Sequence, residues 1–226
     1  MIRTSPPFRA DHVGSLLRPS SLKDARARRE LGEISAIELR AAEDAAIQQI
    51  IARQAQIGLR SATDGEFRRA MWHFDFLGQL DGVERFRSDR GIAFKGGIET
   101  HPTGLRVTGK LGYSAHPMVE HFRFLRDHTS GVTPKMTIPS PSVLHFRGGR
   151  RAVSADIYPE MDAFYHDLSL AYRDAIQDFA AAGCRYLQLD EVNLAYLCDE
   201  EQRAALRERG EDPDRLPAIY RDMINS

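Results

Sequence analysis

The stretch RYLQLDEVN, residues 185–193, decides the fold, because an apolar run leads directly into two adjacent carboxylates, Asp190 and Glu191. A helical pattern that ends at Gly183 precedes it, which is typical of a β-strand entered from a helix. Burying charge is costly unless it is paired, so two carboxylates at the end of a buried strand are not expected to serve packing. In α/β folds the carboxyl ends of parallel strands carry the functional site. The stretch therefore predicts an α/β fold with a polar site at this strand end.

Strand and helix patterns alternate through the rest of the chain. A capping box at Ser35 and Glu38 predicts a helix that ends near Gly58, and a stripe of apolar residues predicts another over residues 159–182. Residues 81–113 differ, because glycines punctuate short apolar runs there in the manner of a hairpin. Short runs of strand character occupy residues 9–15, 59–64 and 134–138.

This alternation predicts a parallel sheet with helical crossovers, either an open doubly wound sheet or a (βα)8 barrel of the TIM type. No GxGxxG or GxxxxGK[ST] motif follows a predicted strand, which disfavours nucleotide binding. About four strands cannot close a barrel, which usually needs about 250 residues, and an amphipathic pattern still runs close to Ser226. We therefore expect a single domain, residues 1–226, that holds only the N-terminal part of a barrel. Its open strand edges would favour self-association, so a homo-oligomer is expected.

The composition excludes several classes of partner. The chain has 226 residues with 31 basic and 32 acidic side chains, a net charge of -1. This balance gives no electrostatic argument for nucleic acid or an anionic membrane surface. No apolar run approaches the roughly 20 residues that cross a bilayer, and residues 1–15 lack the apolar core of a secretory signal. We expect a cytoplasmic protein that acts on small molecules.

The two cysteines carry little information. Cys184 precedes the apolar run and is expected to be a small buried residue, whereas Cys198 follows the predicted site. Neither belongs to a CxxC or HxC pair, so the sequence contains no self-sufficient zinc motif.

Polar residues follow two further predicted strands. Gly14 and Ser15 can offer backbone amides to an anion such as a carboxylate, or they form an ordinary turn. Glu66, beside Arg68 and Arg69, could hold an ammonium group or act as an acid or base, or it belongs to a solvated salt-bridge cluster. The sequence leaves these alternatives open.

Two basic residues follow the predicted strand over residues 134–138. His145 and Arg147 either line the same mouth as the carboxylates or belong to an exposed loop. The sequence does not decide between these two placements.

Four segments in order resemble the catalytic domain of the cobalamin-independent methionine synthases. Residues 13–17, VGSLL, are similar to the family's Ile-Gly-Ser-Phe-Pro segment, and residues 64–67, DGEF, to its His-Gly-Glu-Pro segment. Residues 139–143, PSPSV, are similar to Thr-Gly-Pro-Val-Thr, and residues 188–192, QLDEV, to Gln-Ile-Asp-Glu-Pro. Each match is weak alone, but the four in the correct order are jointly specific.

The resemblance implies a (βα)8 barrel and a zinc-activated transfer of a methyl group from methyltetrahydrofolate to the thiol of homocysteine. Carried over residue by residue, it implies that the Ser15 amide holds the carboxylate of the amino acid and that Glu66 and Asp190 hold its ammonium group. The remaining residues of the predicted site are His12, Gly14 and Glu191 on the amino-acid side and Ser140, Pro141 and Ser142 on the folate side.

The sequence also departs from the family. The family's zinc ligands are a His-x-Cys pair, a Glu and a second Cys beyond the Asp-Glu motif, whereas this chain has no histidine after His166. We therefore expect no metal ligands within residues 1–226. Two alternatives stay open: a non-catalytic module that binds an amino acid, and a related barrel that uses another thiol or methyl donor.

Overall fold

The computed structural model describes residues 5–87, 92–93, 99–100 and 103–226. Its helices are α1 (Ser20–Glu30), α2 (Ala36–Gln56), α3 (Phe74–Leu77), α4 (Pro117–Asp127), α5 (Ser142–Phe146), α6 (Met161–Ala181), α7 (Asn193–Tyr196), α8 (Glu200–Glu208) and α9 (Leu216–Asn225). Its strands are β1 (Ser61–Ala62), β2 (Asp81–Arg87), β3 (Ile92–Ala93), β4 (Glu99–Thr100), β5 (Thr103–Gly112), β6 (Thr133–Pro134), β7 (Met136–Pro139) and β8 (Leu187–Asp190). The protein is a mixed α/β structure, which confirms the predicted class.

The described strands pair two by two. β1 pairs with β6 in parallel, with Ser61 opposite Thr133, and β7 pairs with β8. β2 and β5 form an antiparallel pair, as do β3 and β4. The sequence predicts a buried strand here, but β8 is half-buried along its length.

The expectation of a strand over residues 9–15 is also wrong. These residues are all described, and they form neither strand nor helix. Their hydrogen bonds go to side chains instead of a neighbouring backbone, because Lys135 donates to Asp11 and to the carbonyl of His12. The Tyr186 hydroxyl also donates to Asp11. Side-chain anchors therefore replace a β-ladder in this segment.

The described chain divides into two compact units. Unit 1 takes in Met1–Ala70, Pro117–Ile138 and Gln177–Gln188, and unit 2 takes in Met71–His116, Pro139–Ile176 and Leu189–Ser226. The expectation of one domain over residues 1–226 stays a prediction.

The core of unit 1 forms where α2 and α4 turn their apolar faces inward. Ile47 and Ile51 of α2 are buried, and Phe122 of α4 packs edge-to-face on Phe179 at 6.4 Å between ring centroids. The capping box of α2 is present as predicted, with Ser35 and Glu38 exchanging both hydrogen bonds. Local capping and periodic apolar residues therefore fix this helix.

The core of unit 2 is built around the N-terminal part of α6. Phe164 and Leu168 of α6 are fully buried, as is Tyr220 of α9. The buried hydroxyl of Tyr158 accepts a bond from the Leu111 amide at 2.8 Å and donates to a carboxylate of α6. Among the described helices of both units, none has the length and apolar composition that a membrane crossing requires.

Candidate functional site

The turn after β1 holds Glu66 in an uncommon backbone conformation. Gln54 binds both backbone groups of Thr63, accepting from its amide at 3.0 Å and donating to its carbonyl at 2.9 Å. Asp64 then accepts the Glu66 amide at 2.8 Å. Glu66 has φ of 59°, a left-handed conformation that costs a non-glycine residue roughly 1–2 kcal/mol. Backbone strain of this kind clusters at functional sites, so the turn is the first candidate.

The Glu66 side chain is buried and paired within unit 1. The hydroxyl of Thr137 donates to its carboxylate at 2.9 Å, and Nη1 of Arg69 lies 3.4 Å from the same oxygen. Arg18 donates to the carbonyls of Glu66 and Arg69, both at 2.8 Å, and so fixes the turn. The Arg68 and Arg69 side chains are each 2% exposed, so the alternative of a solvated salt-bridge cluster is wrong.

The segment that contains Ser15 runs beside this turn. The Thr63 hydroxyl donates to the Gly14 carbonyl at 2.7 Å, and the Leu16 amide donates to the Gly65 carbonyl at 3.1 Å. Gly14 has φ of 149°, and a Cβ there would lie 2.7 Å from the side chain of Thr137, so only glycine fits. Ser15 is exposed, and no described group accepts a hydrogen bond from its amide. Unit 1 therefore brings an unengaged amide close to the Glu66 turn.

His12 anchors this segment. Its Nε2 lies 2.6 Å from the side-chain oxygen of Gln54, the residue that also holds Thr63. Lys135 is fully buried and pairs with Asp11 at 3.1 Å, which offsets the cost of its own burial. The hydrogen bond to Gln54 holds His12 in place. Its role in substrate binding stays a prediction.

Glu191 fastens a loop in unit 2. The hydroxyls of Ser140 and Ser142 donate to one oxygen of its carboxylate. The amides of Asn193 and Leu194, at the start of α7, donate to the other oxygen at 2.6 and 3.1 Å. These bonds give Glu191 a structural role, and they hold together the residues predicted to border the folate.

The predicted site residues are distributed over the two units. His12, Gly14, Ser15 and Glu66 belong to unit 1, and Ser140, Pro141, Ser142, Asp190 and Glu191 belong to unit 2. Asp190 is half-buried, and its carbonyl accepts the Ser140 amide at 3.0 Å. That Glu66 and Asp190 both bind the same ammonium group stays a prediction.

A cavity of about 740 Å³ lies within unit 2, and sequence analysis missed it. Phe146 and Tyr196 stack on its wall with ring centroids 5.7 Å apart. Its lining includes His73, Phe74, Phe146, Tyr196 and the arginines 106, 147, 151 and 209. They come from distant parts of the chain, so no local sequence pattern marks the cavity.

His73 on the cavity wall is buried, and its ring nitrogens lack hydrogen-bond partners among the described groups. Its side chain packs between the rings of Trp72 and Phe74. Burial, reinforced by the charge of Arg147, lowers the pKa of His73 to about 4. The imidazole is therefore neutral near pH 7.

The exposed-loop alternative for His145 is wrong, because this side chain is 1% exposed. Its Nδ1 lies 2.8 Å from the hydroxyl of Tyr220 and its Nε2 lies 3.0 Å from that of Tyr165. Burial lowers the pKa of His145 to about 4. Arg147 is exposed and lines the cavity.

Comparison with known proteins identifies the relatives of this chain. No family model matches it. Protein YxjH of Bacillus subtilis, itself uncharacterized, is 45% identical over 97% of this chain. A Listeria monocytogenes structure, provisionally assigned as a vitamin-B12-independent methionine synthase, is 43% identical over 97% of this chain with a TM-score of 0.78. The 5-methyltetrahydropteroyltriglutamate–homocysteine methyltransferase of Thermosynechococcus vestitus is 25% identical over 84% of it. The resemblance to cobalamin-independent methionine synthases is confirmed.

The relatives of this methionine-synthase-like chain are longer than it is. It spans 57% of YxjH, 60% of the Listeria protein and 24% of the Thermosynechococcus enzyme. A B12-independent methionine synthase from Shewanella, solved in complex with selenomethionine, shares the fold at a TM-score of 0.59 and 18% identity, over 85% of this chain and 53% of that one.

The resemblance to methionine synthases implies a zinc ion. A structural or catalytic zinc site needs at least three protein ligands. No group of three or more His, Cys, Asp or Glu side chains in the described part of the chain could hold a metal ion. The described residues therefore do not form such a site.

Proposed function

We propose that this protein is a methyltransferase of the methionine-synthase type, which moves a methyl group from a methyltetrahydrofolate donor to the thiol of an amino acid such as homocysteine. We propose as well that its strand pairs belong to a (βα)8 barrel like those of its structural neighbours. The names of the Thermosynechococcus and Listeria relatives support the reaction class. The observation that carries the proposal is the Glu66 turn, with its buried carboxylate on left-handed backbone.

The Glu66 turn suits the charged head of an amino acid. The unengaged Ser15 amide would bind the carboxylate group, and the Glu66 carboxylate would bind the ammonium group. Thr137 and Arg69 keep the Glu66 side chain in one position, so little freedom is lost on binding. The resemblance adds Asp190 as a second carboxylate. The Shewanella structure contains selenomethionine, a selenium analogue of a methylated amino-acid thiol.

In the proposed reaction the thiolate sulfur attacks the methyl carbon. A sulfur–carbon bond forms, the carbon–N5 bond of the donor breaks, and its electron pair stays on N5, which must then take up a proton. The residues of this chain contribute recognition and orientation of the acceptor.

Calorimetry with L-homocysteine and L-methionine tests the acceptor site. We expect Glu66→Gln to weaken binding by about 30-fold or more, since removing one partner of a buried charge pair costs about 2–5 kcal/mol. Glu43→Gln is the matched control, because Glu43 is also buried in unit 1 but pairs with Arg26 and Arg68. Equal affinity of Glu66→Gln and the unchanged protein would refute the proposed site.

A second candidate function is a non-catalytic module that binds an amino acid. It is favoured by the lack of three clustered metal-ligand side chains among the described residues. A single-turnover assay with homocysteine, methyltetrahydropteroyltriglutamate and added zinc separates the two candidates. Formation of methionine supports the methyltransferase, whereas tight binding of the amino acid without methionine formation supports the module. A related thiol or donor would show in the same assay with other substrates.

A further inference from the structure

Arg18 is held in a fixed position beside the Glu66 turn. Its Nη2 donates to the carbonyl of Glu66 and to that of a second turn residue, both at 2.8 Å, and so uses both of its hydrogens. The Leu16 amide, two positions earlier in the chain, donates to the Gly65 carbonyl at 3.1 Å. The segment over residues 15–18 is therefore fastened to two consecutive residues of this turn.

The charge of Arg18 has no carboxylate close to it. None of the described carboxylates lies within 4.0 Å of its guanidinium. By contrast, Arg26 pairs with Glu43 at 2.9 Å. Arg69 likewise lies 3.4 Å from the Glu66 carboxylate. Burial, together with the positive charges of Arg26 and Arg69, lowers the pKa of the Arg18 guanidinium. A carboxylate that came to lie next to Arg18 would offset this cost.

Part of the Arg18 guanidinium stays available to a ligand. Its Nε and Nη1 have no hydrogen-bond partner in the described part of the chain, and neither atom is buried. The side chain as a whole is half-buried, so these donors reach solvent. The Nε atoms of Arg26 and Arg68, on the same side of unit 1 in sequence, are buried instead. Arg18 thus holds the turn with one nitrogen and offers its other donors to the solvent.

We propose that Arg18 supplies the positive charge that recognises the carboxylate of the amino-acid acceptor. This assignment rests on the proposed function, in which the Ser15 amide binds that carboxylate and Glu66 binds the ammonium group. A guanidinium adds a charge-assisted hydrogen bond, which is roughly twice as strong as a neutral one. The bonds of Arg18 to the turn limit the side-chain freedom that is lost on binding. Arg18 therefore makes the site selective for a free carboxylate over an amide.

Equilibrium binding of L-methionine and L-methioninamide to the full chain tests the proposal. The amide keeps the ammonium group and the side chain of methionine but lacks the carboxylate charge. We expect the unchanged protein to prefer methionine, and Arg18→Gln to reduce that preference about tenfold, as expected for the loss of a hydrogen bond between charged groups. Arg18→Lys keeps the charge and should retain most of the preference. Damage to the turn would weaken both ligands alike, so the ratio of the two affinities reports on the carboxylate.

The matched control is Arg26→Gln. Arg26 is also a half-buried arginine of unit 1 that donates to a backbone carbonyl of the turn, but its charge is paired with Glu43. We expect this variant to prefer methionine over methioninamide as strongly as the unchanged protein does.

The proposal is overturned if Arg18→Gln keeps the preference for methionine, if Arg18→Lys loses it as fully as Arg18→Gln, or if Arg26→Gln reduces it as much. The proposed function is tested separately by Glu66→Gln. If that variant binds methionine more weakly while Arg18→Gln leaves the ratio unchanged, the acceptor site stands and only the role of Arg18 is wrong. If the unchanged protein binds neither ligand, the acceptor site itself is wrong.

Discussion

Glu66 in unit 1 and Glu191 in unit 2 both follow a short strand, and sequence analysis assigned both to the substrate site. Glu191 accepts hydrogen bonds from two serine hydroxyls and two backbone amides, so its carboxylate serves the loop and helix around it. Glu66 sits on left-handed backbone and pairs with a buried arginine. The contrast teaches that a carboxylate at a strand end becomes a candidate for binding through its backbone strain and its partners, and position alone is not enough.

The largest expected effect in this comparison is on stability. Glu191→Ala removes the acceptor of hydroxyls and amides that are mostly buried, so the free energy of unfolding should fall by about 3–5 kcal/mol. Ser140→Ala removes a single hydroxyl donor to Glu191 and should cost about 1 kcal/mol. Urea unfolding measures both values. If Glu191→Ala costs no more than Ser140→Ala, the structural role assigned to Glu191 is wrong.

Acid should destabilise unit 2 through its buried histidines. Burial lowers the pKa of both His73 and His145 from 6.5 to about 4, so the unfolded chain binds more protons than the folded one between these values. The free energy of unfolding therefore falls as the pH drops from 6.5 towards 4, by up to about 1.4 kcal/mol per pH unit for each histidine. In unfolding experiments over this range, His145→Gln should make the fall shallower by about one proton. An unchanged slope would contradict the buried, neutral state of His145.

A smaller effect is expected at Gly14, where unit 1 brings the Ser15 segment against Thr137. Gly14→Ala places a methyl group 2.7 Å from the Thr137 side chain and strains a backbone with φ of 149°. We expect a loss of about 1–3 kcal/mol in the free energy of unfolding and weaker binding of homocysteine. The double variant Gly14→Ala/Thr137→Ser should recover part of the stability, because serine lacks the Thr137 methyl group that the alanine side chain would contact. Full stability of the single variant would show that the close approach does not exist.

The local elements could be predicted from the sequence, because their signals are local. The capping box at Ser35 gave the start of α2, and the stripe of apolar residues gave α6. The role of Glu191 could not be predicted, because it depends on Ser140 and Ser142, which precede it by 51 and 49 positions. The sequence predicts a strand over residues 9–15 because the anchor of this segment, Lys135, lies 124 positions from Asp11 and leaves no local signal. Long-range side-chain bonds of this kind leave no periodic pattern.

A crystal structure of the protein with L-homocysteine or L-methionine tests the central claim most directly. The account predicts the ammonium nitrogen within hydrogen-bonding distance of the Glu66 carboxylate and the carboxylate group at the Ser15 amide. An amino acid that binds elsewhere, away from the Glu66 carboxylate and the Ser15 amide, would contradict it.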